Sequence, residues 1–194
     1  MKTRIFLIAT LTLTIATAAA AQRPAQVPFV NDQSTKPLTD LEVFQDTYGA
    51  TLLKGFTELP RVRGSNGSVQ VAIVEFRNAA NNTKVKGVAI DVFTTERPNE
   101  KARSFIEYSE LEGLIRGINV ISKVDKGSSP LNSLEAVYTT KGEFSISNFF
   151  NWQGESRIAV TADRYEPKTV LIDQAAQTIL LSQLQQAKST LDEL

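Results

Sequence analysis

The chain contains no cysteine and no histidine. The first absence excludes disulfides, thiolate metal sites and cysteine nucleophiles. The second removes the usual general base, the Ser-His-Asp triad and every imidazole ligand. An excess of positive charge is also missing: 21 Lys and Arg balance 21 Asp and Glu. A general nucleic-acid binder needs a basic surplus, so no nucleic acid is expected as a partner. Glycine-rich phosphate loops are lacking too: the sequence has no Walker loop, no Gly-x-Gly-x-x-Gly and no Gly-x-Ser-x-Gly. Nor has it an Asp-x-Asp-x-Asp-Gly calcium loop. No cofactor and no metal site is implied. What is present is ordinary globular material, 42% hydrophobic and 22% charged over 194 residues, enough for one domain with a real core.

The first 21 residues read as a secretory signal peptide. Lys2 and Arg4 form a positive start, Ile5 to Ala16 an apolar stretch, and Ala18 to Ala21 the small residues a signal peptidase accepts. Cleavage after Ala21 would leave Gln22 first. No later run approaches the ~18 apolar residues of a membrane span, so no transmembrane segment is expected in the mature chain. Loss of Lys2 and Arg4, with no acid, leaves a net charge of −2. An exported chain without cysteine fits a bacterial periplasm or exterior. Residues 22–38 carry Pro24, Pro28 and Pro37 and no hydrophobic period, and read as a flexible leader. Residues 39–194 are expected to form a single domain.

Within that domain a short helix is expected at Leu41 to Phe44 behind Thr39 or Asp40, and a strand over residues 50–59. Val69 to Arg77 and Val85 to Thr94 should pair as a hairpin across Asn78–Asn82. Ser104 to Tyr108 reads as a strand. The period then changes: Leu111, Leu114, Ile115, Ile118 and Ile121 form one helical stripe. Ser109 and Glu112 have the spacing of a capping box. Gly113 and Gly117 lie four apart in that helix, where each costs about 1 kcal/mol relative to Ala, so a closely packed neighbour is expected. Alternation returns at Leu134, Ala136 and Tyr138, at Phe144 and Ile146, at Ile158, Val160 and Ala162, and at Lys168 to Ile172. Asp173 should cap a closing helix with Ala176, Ile179, Leu180, Leu184, Ala187 and Leu191 inward. Strands, helix, strands, helix define an α+β fold: an antiparallel meander with two covering helices, divisible into two strands-then-helix halves.

The stretch SFIEYSELEGLIRGINVISKV, followed by YTTKGEFSIS, resembles a set of small exported bacterial proteins of unknown function, over about half the mature chain. The resemblance implies bacterial export and assigns no site. The doubled topology is also similar to certain single-strand nucleic-acid-binding folds, a likeness of fold alone.

Two Asn-x-Ser/Thr triplets, at Asn66 and Asn81, fall in turns where asparagine is expected for its left-handed conformation. Glu107, Glu110 and Glu112 are the densest acids, and alternation into the helix should scatter them. Phe149, Phe150 and Trp152 are the candidate binding residues. Alternation buries at most one of the two phenylalanines, and Trp152 stands in a turn beside Asn151 and Gln153, a placement that suits a contact surface. The expectation is a non-catalytic exported binding or structural module acting on a protein or an envelope polymer. The alternatives are a glycan hydrolase built on two carboxylates about 5–10 Å apart, and a small-ligand carrier with a cavity between sheet and helices.

Overall fold

The computed structural model describes residues 37–96, 100–150 and 153–194. All of them fall in the unit Lys36–Leu194. The expected signal peptide, and the leader up to Lys36, lie outside the described residues.

The chain is α+β, with two antiparallel sheets and three α-helices among the described residues. Helix α1 (Asp40–Gln45) starts at Thr39, whose hydroxyl accepts the Glu42 N–H while the Glu42 carboxylate takes the Thr39 N–H. The first sheet holds β1 (Leu52–Glu58), β2 (Val62–Gly64), β3 (Gly67–Asn78), β4 (Lys84–Thr94) and β5 (Lys101–Glu107). Its order is β1-β3-β4-β5, with β2 also paired to β3. Strand β3 is central because its apolar residues alternate onto both faces. Val69, Val71 and Ile73 point one way and Ala72, Val74 and Phe76 the other, and all six are buried.

Helix α2 (Tyr108–Ile121) follows, then a 3₁₀ turn at Lys126–Ser128. The second sheet is the meander β6 (Leu134–Thr139), β7 (Ser145–Phe150), β8 (Ser156–Ala162), β9 (Lys168–Ile172), and α3 (Gln174–Glu193) closes the chain. Each half thus runs strands then helix, with one sheet per half. A single core joins Val71, Ile90 and Ile106 of the first sheet, Ile146 and Val160 of the second, Leu114 of α2 and Leu184 of α3. A smaller cluster on the opposite face of the first sheet lies under α1 and includes Leu41, Phe76 and Phe105.

Three details differ from the sequence reading. Helix α2 begins at Tyr108 with Glu107 at its cap, not Ser109: the Glu107 N–H donates to Glu110 Oε2 at 3.4 Å. Glu112 instead pairs with Arg116 one turn on. Ile115 is only partly buried at the margin of the stripe that Leu111, Leu114, Ile118 and Ile121 fill. On α3, Ile179 is 53% exposed, because the stripe through Ala176, Leu180, Leu184, Ala187 and Leu191 turns it outward, and Gln177 and Gln183 are buried in its place. The expected Asp173 cap is present, accepting from the Ala176 N–H at 2.7 Å.

The two glycines of α2 have a packing reason. A β-carbon on Gly117 would meet the Tyr138 ring, and one on Gly113 would lie 2.8 Å from its hydroxyl oxygen. Tyr138 of β6 fills the notch they leave.

The halves are also clasped through their turns. Asn66, between β2 and β3, accepts the Leu171 N–H at 2.8 Å and donates to the Thr169 carbonyl at 3.1 Å. The Ser65 N–H donates to the Leu171 carbonyl at 2.8 Å. This turn therefore hydrogen-bonds to β9, an edge strand whose N–H and C=O groups would otherwise lack a sheet neighbour. Asn66 is not left-handed; in the second triplet Asn82 is, with φ 57°, while Asn81 accepts the Thr83 N–H. On the other side, the turn between β6 and β7 packs on β5 closely enough that a β-carbon at Gly142 would strike the Phe105 carbonyl. The Asp163 N–H, after β8, reaches the Ser104 hydroxyl at 2.9 Å.

Candidate functional site

The inner face of the first sheet is core. Its outer face divides in two, and the register fixes the division. One end carries Phe56, Val74, Gly87 and Glu107 in one row, with Leu41 of α1 packed against Gly87. The next row is Glu58, Ala72, Ala89 and Phe105. Beyond it α1 gives way to polar rows: Gln70, Asp91 and Arg103, then Arg63, Ser68, Phe93 and Lys101.

Asp91 organises this open end. It stands in β4 at the centre of VKGVAIDVFT, on the face opposite Val88, Ile90 and Val92, and only 1% of it is exposed. Arg103 grips it through both oxygens, Nε to Oδ1 and Nη2 to Oδ2, each at 2.6 Å. Lys101 Nζ adds a contact of 2.9 Å. Burial pushes the Asp91 carboxyl up, but the hydrogen bonds from Arg103 and Lys101 and their charges outweigh it and hold it below its ordinary value. The hydrogen bond to Asp91 raises Arg103 in turn, against its own desolvation. Gln70 Nε2 donates to the Leu59 carbonyl at 3.2 Å and to Glu58 Oε2 at 3.3 Å.

Aromatic rings lie between these cations. The Arg61 guanidinium stacks 3.8 Å from the centre of the Phe93 ring, and Arg103 lies 5.8 Å from Phe56 and 5.9 Å from Phe105. Phe56 is 47% exposed. Arg61, Arg63, Ser68, Phe93 and Thr94 line a cleft of about 290 Å³ at the end of the sheet. The open face thus presents Arg61, Arg63, Lys101 and Arg103 against two acids, Glu58 and the buried Asp91. Such a surface can hold an anion by charge and a flat or apolar group by stacking.

Of the residues singled out from the sequence, Phe149 and Phe150 lie elsewhere. Phe150 ends β7 on the inner face and is 8% exposed; Phe149, its neighbour on the other face, is partly buried between Glu135 and Arg157. Trp152 lies outside the described residues. Of the acids at the start of α2, Glu112 stands apart as expected, paired with Arg116, but Lys141 draws Glu107 and Glu110 together. Its Nζ is 2.7 Å from Glu107 Oε1, and its N–H donates to Glu110 Oε1 at 2.9 Å. Burial raises the Glu107 carboxyl, but hydrogen bonds from Lys141 and the Asp40 N–H bring it below its ordinary value. A general acid needs the opposite shift. Among the described residues no group of three or more acidic side chains is placed to hold a metal ion, and no helix is long and apolar enough to cross a membrane.

The sequence signal for the open face was the charge at Asp91 inside an apolar strand. Its partners Lys101 and Arg103 are legible only once β4 and β5 are paired. Comparison with known proteins finds no matching family model, no matching curated protein and no matching solved structure.

Proposed function

We propose that this chain is an exported, non-catalytic binding module, and that the open half of the first sheet's outer face takes an anionic polymer of the bacterial envelope. The observation that carries the reading is the four-to-two excess of cations over acids on that face, in a chain of zero net charge. The stacked Arg61 and Phe93 support it, because a guanidinium held flat on a ring is pre-ordered for a carboxylate or sulfate. Asp91 supports it differently: it fixes Lys101 and Arg103 in place, its one negative charge is outnumbered by their two positive ones, and both cations keep part of their surface open. Export rests on the charged, apolar and small-residue pattern of residues 1–21.

Binding of the mature chain to polygalacturonate, with dextran as the uncharged control, tests the reading. Polygalacturonate should bind and dextran should not, and affinity should fall as salt is raised from low to physiological. Arg61→Glu combined with Lys101→Glu should weaken binding about tenfold, equivalent to about 1.4 kcal/mol. Equal binding of dextran, unchanged affinity in the variant, or tighter binding of single-stranded DNA would contradict it. For export, mass spectrometry of the native protein should find an N-terminus within a few residues of Gln22; intact Met1 in the native protein would contradict that part.

A further inference from the structure

A second feature lies away from the sheet face, between the second sheet and its helices. Asn148, Phe150, Ser156, Ile158, Ile172 and Gln177 line a cavity of about 350 Å³ beside the start of α3. That is many times the ~30 Å³ share of one water and at the lower end of the ~300–1,000 Å³ of small-molecule sites. Phe150, Ile158 and Ile172 form an apolar wall. The Asn148 carbonyl oxygen is already taken by the Ser156 hydroxyl at 2.6 Å.

Gln177 is the anomaly. It is 3% exposed, and its Nε2 has no hydrogen-bond partner among the described residues. Buried amides in folded proteins are paired, because an unpaired donor forfeits its hydration without return. The same helix places leucine at the buried positions 180 and 184, so an apolar residue was available to this stripe. An amide kept at 177 beside a cavity is completed from that cavity, by water when it is empty and by an acceptor atom of a ligand when it is filled.

The surroundings define that ligand. Asp173 stands at the cavity and occupies the α3 N-terminus by accepting from the Ala176 N–H. An anion would meet its carboxylate, which already takes the Ala176 N–H of the helix end. The ligand must instead offer a neutral acceptor oxygen to Gln177 and a small apolar group to Phe150, Ile158 and Ile172. An acetamido group has both, a carbonyl and a methyl on one carbon.

We infer that this cavity binds a small neutral molecule through an N-acyl group, its carbonyl accepting from Gln177. The inference goes beyond the sheet-face reading and does not depend on it.

Saturation-transfer NMR on the mature chain tests it with three probes: N-acetylglucosamine, N-methylacetamide and glucose. The two acylated probes should give saturable signals strongest at the acetyl methyl, and glucose should give none. Gln177→Leu should weaken acyl binding at least tenfold while leaving the Tm unchanged or higher, since it replaces an unpaired amide with an apolar side chain of similar size. Silence from both acylated probes, an equal response to glucose, or unchanged binding in Gln177→Leu would overturn the inference. So would a lower Tm in that variant, which would show the amide to be paired within the fold. Arg61→Glu with Lys101→Glu should leave these signals intact, so the two sites fail or succeed separately.

Discussion

At the scale of single residues, two positions carry opposed effects whose balance decides the outcome. Gly117→Ala should gain helix propensity of about 1 kcal/mol, yet its β-carbon would meet the Tyr138 ring. Overpacking of this kind costs about 1–3 kcal/mol. The variant should therefore be less stable in urea unfolding, and Tyr138→Ala in the same chain should remove the penalty for adding the methyl. Asp91 sets burial against its ion pairs. Its carboxyl is depressed in the folded state, so its contribution is complete above the unfolded value of ~3.9 and is lost as pH falls through the lower folded value. Asp91→Asn should cost about 2 kcal/mol near neutrality, less than a fully buried pair because Lys101 and Arg103 keep some contact with water. The difference between wild type and variant should shrink as unfolding is measured from pH 5 down to pH 3; a difference that grows would contradict the assignment. The glycine pair was legible in the sequence as a close contact. Its partner Tyr138 was not, because nothing local ties residue 117 to residue 138.

At the scale of elements, period was informative and termini were not. The stripe of α2 was readable because apolar residues at helical spacing have one way to be buried together. Leu114→Ala should accordingly cost about 2–4 kcal/mol, and Ile115→Ala at the margin about 1. The cap lies two residues before the position that the Ser109–Glu112 spacing predicts. Ser109 and Glu112 have the right spacing, but Tyr108 is already helical and Glu107 takes the cap while its carboxylate is held by Lys141 and the Asp40 N–H. Ser109→Ala should then change stability by less than about 0.5 kcal/mol rather than the ~1 of a lost cap. Asn66 shows a further limit. A glycosylation triplet in a turn says nothing of the strand more than a hundred residues away whose edge it pairs. Asn66→Ala should cost about 1–2 kcal/mol, and hydrogen exchange should show faster exchange at the Leu171 N–H. Unchanged protection there would mean that the clasp does not hold β9.

At the scale of the whole molecule, the α+β class and the two strands-then-helix halves followed from the order of periods along the chain. The division into two sheets did not, since strand pairing across a long loop leaves no local signature. The candidate surface was hidden for the same reason. Its cations come from the β1–β2 link, β2 and β5, and they share a face only through register. The adjacent aromatics Phe149, Phe150 and Trp152 are the more conspicuous pattern in the sequence, and Phe150 is turned inward. The central claim is that the open half of the first sheet is the polymer-binding face, and mapping backbone amide shifts on addition of polygalacturonate tests it most directly. The account predicts that perturbations cluster at residues 58–63, 68–70, 91–95 and 101–103, with β6 to β9 unaffected; shifts centred on the second sheet, or on none of these strands, would contradict it.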